Sequence, residues 1–137
     1  MRIRPLISAA LGLLTTLSLS FVLETRASHA APTAIIRGHA KYYSPGMFQT
    51  VARNRGIKLR SDVSGYAAVP NCNHIGKVIK ARINSRDTET YQVVDCSAPA
   101  DRARHIRDGL VIEVDYSSAV RNQFANQGRA PASVYYP

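Results

Sequence analysis

The sequence is poor in acidic residues and cysteine, and it contains no tryptophan. Its 137 residues include 9 Asp and Glu against 18 Lys and Arg, together with 2 Cys. No internal repeat, heptad or low-complexity tract is present, which excludes solenoids and coiled coils and favours one domain. At 45% hydrophobic and 20% charged residues the chain can form a core, which excludes wholesale disorder and collagen-like repeats. The formal net charge of +9 indicates an acidic partner, either nucleic acid, an anionic membrane face or a charged cell-wall polymer.

The first thirty residues have the layout of a secretory signal peptide. Arg2 and Arg4 precede an apolar stretch that runs over residues 6–23, and small residues follow it. Ser28-His29-Ala30 fits a small-x-small cleavage site, so we predict cleavage after Ala30, with a cut after Ala27 as the alternative. An uncleaved membrane anchor is the other interpretation, because the apolar stretch is just long enough to span a bilayer. Export predicts an extracellular or cell-envelope protein whose partner is an extracellular polymer, with no nucleic acid and no membrane contact after cleavage.

Cys72 and Cys96 are the two cysteines, and we predict that they form one disulfide. An even pair of cysteines in a small exported domain usually pairs in an oxidising compartment. Closing a loop of about 25 residues would stabilise the fold by roughly 3.5 kcal/mol. A cysteine nucleophile with His74 or His105 as its base is the alternative. Because neither cysteine has a second one two to four residues away, we expect no metal site, and we expect no cofactor.

Apolar patterns and turn signals predict a single domain over residues 35–124. The predicted strands cover 34–43, 66–69, 77–84, 90–94 and 110–115. The predicted helices cover 47–55, 100–108 and a short segment from Ser117 or Ser118 through Phe124. Residues 125–137 show no clear pattern and are predicted to be a loosely held tail. Many short strands with small helices favour a compact β-barrel over a sandwich or a βαβ sheet.

Three segments, taken in order, resemble the double-psi β-barrel of rare lipoprotein A-like proteins, which is also the first domain of expansins. Residues 38–43, GHAKYY, look like the family's opening Gly-x-Ala-x-Tyr strand. Residues 77–84 look like its central strand, and residues 93–95 with 111–119 look like its paired strand ends. The resemblance implies a mainly β fold, a six-stranded double-psi β-barrel with two or three short helices. It also implies a surface groove that binds glycan, which is peptidoglycan in bacterial members.

Asp95 and Asp115 are the candidate catalytic residues, because the matching aspartates of the family line the glycan site. In lytic members an acid there protonates the glycosidic oxygen, which requires a carboxyl whose pKa is raised by burial or by a neighbouring carboxylate. A structural role is the alternative for each. Asp115 stands just before Ser117 and Ser118 and would cap a helix, while Asp95 would accept backbone N–H groups in the loop beside the disulfide.

Two departures from the family count against full lytic activity. His74 falls several positions later than the histidine that lytic members carry ahead of the central strand. Residues 47–60 contain no acid after the opening turn and are rich in Arg and Lys instead. Cleavage of a glycoside usually requires two positioned acid and base groups. The leading hypothesis is therefore a secreted protein that binds peptidoglycan or a related glycan, and the alternatives are a weak peptidoglycan lytic transglycosylase and a non-enzymatic interaction or defence scaffold.

Basic and aromatic side chains are the candidate glycan contacts. Basic residues cluster over 53–60 and 102–107, with Arg82 on the strand between them, and such a surface would attract anionic extracellular polymers. A solvated basic face that only keeps the protein soluble is the alternative. Tyr116 and either Tyr42 or Tyr43 are the candidate platforms for a sugar ring, since adjacent strand residues point to opposite faces. Nothing in the sequence defines an oligomeric state.

Overall fold

A computed structural model describes residues 34–137, so the predicted signal peptide and its cleavage site lie outside the described residues. Six strands and three α-helices make up this part of the chain, with a short 3-10 turn at Cys72–His74. No helix within residues 34–137 is long and apolar enough to cross a membrane. The strands are β1 (Ala34–Tyr42), β2 (Gly65–Val69), β3 (Val78–Ile83), β4 (Thr88–Cys96), β5 (Leu110–Val114) and β6 (Ala130–Tyr136). The helices are α1 (Met47–Arg55), α2 (Pro99–Arg107) and α3 (Tyr116–Arg121).

The six strands close into one barrel in the order β1, β5, β2, β4, β3, β6. β1 pairs with β5, and β2 with β4, in parallel, whereas the other neighbouring strands pair antiparallel. Two parallel pairs whose strands are not consecutive in the chain require crossing connections. The predicted mainly β, six-stranded double-psi barrel with short helices is therefore confirmed.

Alternation along the strands fills the barrel. In β3 the side chains of Ile79, Ala81 and Ile83 are buried, while Lys80 and Arg82 between them are exposed. A second apolar cluster lies outside the barrel, where Phe48 and Ala52 of α1 pack on Ala68 of β2 and Val94 of β4. Packing of α1 on these strands brings the C-terminal end of the helix close to the end of β4.

The prediction of a loosely held tail over residues 125–137 is wrong, and so is the end of the barrel domain at residue 124. Residues 130–136 form β6, which lies between β1 and β3 and closes the barrel. Its buried residues alternate, but two of the four are alanines, so the apolar signal is weak. Pro131 also argues against a central strand, because proline cannot donate to a ladder. The structure accommodates Pro131 because the pairs between β6 and β3 begin at the next residue, Ala132.

The predicted disulfide is confirmed. Cys72 and Cys96 are joined, with their Cα atoms 4.9 Å apart. The bond ties the 3-10 turn after β2 to the last residue of β4. It therefore fixes the strand end at which Asp95 stands.

Candidate functional site

A cleft of about 570 Å³ opens beside the disulfide, and three carboxylates line it, Asp95 of β4, Glu113 of β5 and Asp101 of α2. We call it the acidic cleft. Ala68 of β2 pairs with Asp95 on one side and with Glu113 on the other, so these two acids stand in one row across three strands. With neighbouring strands about 4.8 Å apart, their Cα atoms are about 10 Å apart. The remaining polar side chains that line the cleft are those of Tyr43, Arg55, Ser97 and His105.

Asp95 is held by two donors from the α1 side of the cleft. The Arg55 guanidinium lies 2.5 Å from Asp95 Oδ1, and the Tyr43 hydroxyl donates to Oδ2 at 3.2 Å. The Tyr43 ring stacks on Phe48 of α1 with a centroid distance of 4.7 Å, which fixes its orientation. Burial, together with the charges of Glu113 and Asp95, raises the pKa of the Tyr43 phenol, so Tyr43 remains a neutral hydrogen-bond donor. Both Asp95 oxygens are therefore engaged.

Glu113 has the opposite environment. Among residues 34–137 no group donates a hydrogen bond to its carboxyl, and the side chain is largely buried. Burial raises the pKa of Glu113 above its ordinary value; His105 and Lys41 offset part of the increase, and the charge of Asp95 adds to it. Glu113 was not among the residues predicted from the sequence. Its signal was the alternation of β5, in which Glu113 lies between the buried Ile112 and Val114.

Helix α2 brings a histidine to the acidic cleft. Ser97 Oγ and His105 Nδ1 lie 2.7 Å apart, and the position of the proton depends on the tautomer of His105. Pro99 occupies the start of α2, where its missing N–H is harmless, and starts the helix just after the disulfide. This local geometry places His105 next to the same cleft as Glu113.

Asp115 lies away from the acidic cleft. It lines a separate cleft with Ser44, Arg60, Tyr66 and Tyr116, and the two clefts share no lining residue. The structure therefore does not bring the two predicted aspartates together in one groove.

Asp115 is the N-cap of α3. Its carboxylate accepts hydrogen bonds from the backbone N–H of Tyr66 at 2.8 Å, from the N–H of Ser118 at 2.9 Å and from the hydroxyls of Ser117 and Ser118. Burial by itself would raise the pKa of Asp115, but these donors outweigh it and hold the pKa below its ordinary value. Asp115 thus has the environment of a structural cap, the alternative role considered for it.

Replacing Asp115 with asparagine is expected to destabilise the protein at neutral pH by about 1 to 3 kcal/mol, because an amide N–H₂ would face buried donors. Because the pKa of Asp115 is lowered in the folded state, the ionised carboxylate contributes its full stabilisation above about pH 4. That stabilisation is lost as the pH falls through the folded-state pKa. Urea unfolding should therefore show that the difference in the free energy of unfolding between wild type and Asp115→Asn is smaller at pH 3 than at pH 7. The exposed Asp87→Asn is the control, and an equal difference at both pH values would contradict the prediction.

The predicted glycan contacts are distributed over several surfaces. Tyr43 lines the acidic cleft, whereas the ring of Tyr42 packs edge-on against Tyr116 and Phe124 and its hydroxyl donates to the Ala125 carbonyl at 2.7 Å. Tyr116 is 40% exposed beside Asp115, in the other cleft. Arg82 stands on the outer face of β3 and lines neither cleft. Of these predicted contacts, the structure brings Tyr43 to Asp95, together with Arg55 from the basic cluster over 53–60.

The barrel defines a class of fold, the double-psi β-barrel of the expansin type. The crystal structure of the apo Clavibacter michiganensis expansin superimposes with a TM-score of 0.51 at 17% sequence identity, and the match covers 74% of this chain and 49% of the expansin. A mutant of that expansin in complex with cellohexaose superimposes with a TM-score of 0.48 at 15% identity over the same shares. The chain thus spans about half the length of the expansins it matches. No protein-family model matches the chain, and no curated protein sequence matches it.

Proposed function

We propose that this protein is an extracellular protein that binds cell-wall glycan, peptidoglycan or a related polysaccharide, in the acidic cleft. The observation that carries the proposal is the pair of carboxylates, Asp95 and Glu113, which strand register places on either side of Ala68 and which both line the cleft. Ala68 itself is covered by Phe48 and Ala52 of α1, so a ligand in the cleft would contact the two acids, whose carboxyl oxygens accept hydrogen bonds from sugar hydroxyls. Tyr43 supplies a phenol at the same wall. A cleft that combines carboxylates with a tyrosine can contact both the hydroxyls and the C–H faces of a sugar chain.

Three further features support an extracellular location. The disulfide is typical of proteins that fold in an oxidising compartment. The first thirty residues are predicted to be a signal peptide, and the barrel shares its fold with an expansin. The positive net charge favours association with walls that contain anionic polymers.

Sedimentation with purified peptidoglycan and with cellulose tests the proposal. We expect the wild-type protein to bind at least one of these glycans, and we expect Glu113→Gln to weaken binding about tenfold, because the amide places a donor where the carboxyl accepts. Asp87→Asn, an equal change of charge on an exposed turn, is the matched control and should bind as the wild type does. Thermal unfolding establishes that each variant is folded. Absence of binding to both glycans, or identical binding by Glu113→Gln, would overturn the proposal and leave the scaffold role.

A second candidate function, cleavage of the glycosidic bond, is favoured by the contrast between the two acids. Burial raises the pKa of Glu113 above its ordinary value, and no group among residues 34–137 donates to its carboxyl, so its environment is that expected of a general acid. Asp95 was the predicted general acid, but Arg55 and Tyr43 occupy its oxygens. Incubation with isolated glycan strands, followed by chromatography of soluble fragments, decides the question. We expect any activity to disappear in Glu113→Gln and to persist in Asp87→Asn, and release of no fragments by the wild type would reject cleavage.

A further inference from the structure

The outer face of β1, β6, β3 and β4 carries three cations and no carboxylate. Strand register places its residues in two parallel rows. The first row consists of Arg37, Ser133, Arg82 and Thr88, and the second consists of Ile35, Tyr135, Lys80 and Thr90. We call these eight side chains the basic face. On β3 and β6 the residues that alternate with them, Ala81, Ala132 and Val134, are buried in the barrel, so the two rows point outward there, whereas on β1 the intervening Ile36 is exposed as well.

The cations of the basic face are not neutralised. Within residues 34–137 no carboxylate lies within ion-pair distance of Arg37, Lys80 or Arg82. All three side chains are exposed. Arg82 Nε donates to the backbone carbonyl of Arg86 at 2.9 Å, which orients the guanidinium and leaves its terminal N–H groups free. The face therefore presents one oriented guanidinium, that of Arg82, and the exposed cations of Arg37 and Lys80 to solvent.

The spacing of the rows suits a chain of charged sugars. Arg37 and Arg82 flank Ser133 on either side, so their Cα atoms are about 10 Å apart, and the second row lies about 7 Å further along the strands. Tyr135 stands in the second row between Ile35 and Lys80, beside the first row's cations. Clefts of about 370 Å³ and 420 Å³ lie along these rows, one lined by Arg37, Arg82 and Ser133 and the other by Lys80, Thr88 and Tyr135. A planar guanidinium forms paired hydrogen bonds with a carboxylate, and a tyrosine ring packs on the C–H face of a pyranose. The serine and threonine hydroxyls can form hydrogen bonds with sugar hydroxyls.

We propose that the basic face binds an anionic polysaccharide whose sugars carry carboxylates, a polyuronate. The acidic cleft would repel such a polymer, because Asp95 and Glu113 line it, and the two sites have no residue in common. The proposal stands without the proposed function, since it uses none of the same side chains. A nucleic acid or an anionic membrane is a less suitable occupant, because Tyr135 is the one aromatic ring in the rows and Ile35 the one exposed aliphatic.

Titration with polygalacturonate, with neutral amylose as the uncharged comparison, tests the inference. We expect wild type to bind polygalacturonate at low salt and not amylose. Arg37→Gln combined with Arg82→Gln should weaken that binding about tenfold or more. The matched control is Arg53→Gln combined with Lys58→Gln, which removes the same charge from exposed positions elsewhere and should cause less than a threefold loss. Tyr135→Ala in the wild-type background should weaken binding without any change of charge.

Three results would overturn the inference. Equal losses in the two double variants would show that net charge alone attracts the polymer. Loss of polygalacturonate binding in the Glu113→Gln variant would place the polymer in the acidic cleft. Unchanged binding by that variant would show that the basic face acts independently of the proposed function. Finally, duplex DNA or vesicles with anionic lipid could bind as tightly as polygalacturonate does. If the Arg37→Gln and Arg82→Gln double variant weakened that binding to the same extent, the basic face would be a site for any polyanion.

Discussion

Gly38→Ala is expected to destabilise the barrel by about 3 kcal/mol or more. A Cβ atom at Gly38 would overlap the carbonyl oxygen of Gly109 and would lie 2.7 Å from Val111 Cγ1. That carbonyl accepts the N–H of His39 at 2.8 Å, so the extra carbon would push apart the start of the parallel pair between β1 and β5. Backbone cannot move aside as the end of a flexible side chain can. Urea unfolding of the purified variant measures the loss.

Gly46→Ala is the control for this prediction. Gly46 has φ +78° and no atom within 4 Å of an added Cβ, so only left-handed backbone strain of about 1 to 2 kcal/mol opposes alanine there. A Gly38→Ala variant as stable as Gly46→Ala would show that β5 moves away from β1 at little cost. Val111→Ala in the Gly38→Ala background separates the two obstructions, because it removes the side-chain contact and leaves the carbonyl contact. We expect it to recover only a minor part of the stability.

Glycine is required at position 38, and this requirement explains why the Gly-x-Ala-x-Tyr pattern in β1 was informative about the fold. Gly38 permits the close approach of β1 to β5, and the register shifts immediately after it, between His39 and Ala40. Beyond the shift, Lys41 pairs with Glu113. The glycine is thus coupled, through strand register, to the position of the acid in the cleft.

Most of the barrel could be predicted because its local patterns agree with its final structure. The bounds predicted for α1 are those observed, since Gly56 ends the helix with φ +66° and caps it with its N–H. β5 was visible from its alternation, and β3 from a partial alternation. β6 was not predicted, because Ala130 and Ala132 carry little hydrophobic signal and Pro131 contradicts a central strand. Its place in the barrel depends on long-range pairing with β1 and β3, which no local pattern reports.

The candidate site was half predictable for a similar reason. Asp95 is the penultimate residue of β4 and lines the acidic cleft. Asp115 stands two residues after Glu113, on the same side of the extended chain, but the chain turns into α3 at Asp115, and the helix N-terminus takes its carboxylate. A helix start was visible in the sequence, and it was evidence for the capping role. The sequence could not show that Asp95 and Glu113 stand on either side of Ala68, because this alignment depends on how β2 pairs with β4 and with β5.

Removing the disulfide by Cys72→Ser with Cys96→Ser is expected to lower the free energy of unfolding by about 3.5 kcal/mol, because the unfolded chain regains the entropy of a loop of about 25 residues. Such a loss is a large fraction of the 5 to 15 kcal/mol by which domains are usually stable. Urea unfolding of the double variant, with oxidised and reduced wild type beside it, measures the effect.

Reduced wild type should unfold at nearly the same urea concentration as the double variant, and dithiothreitol should leave the double variant unchanged. Because Cys96 adjoins both Asp95 and Ser97, the loss of the disulfide should also weaken glycan binding at temperatures where the variant remains folded. The control is Ser61→Ala, an exposed residue outside the acidic cleft, which should change neither property. Equal stability of oxidised and reduced wild type would show that the barrel strands alone hold the end of β4, and the positioning role of the disulfide would then be rejected.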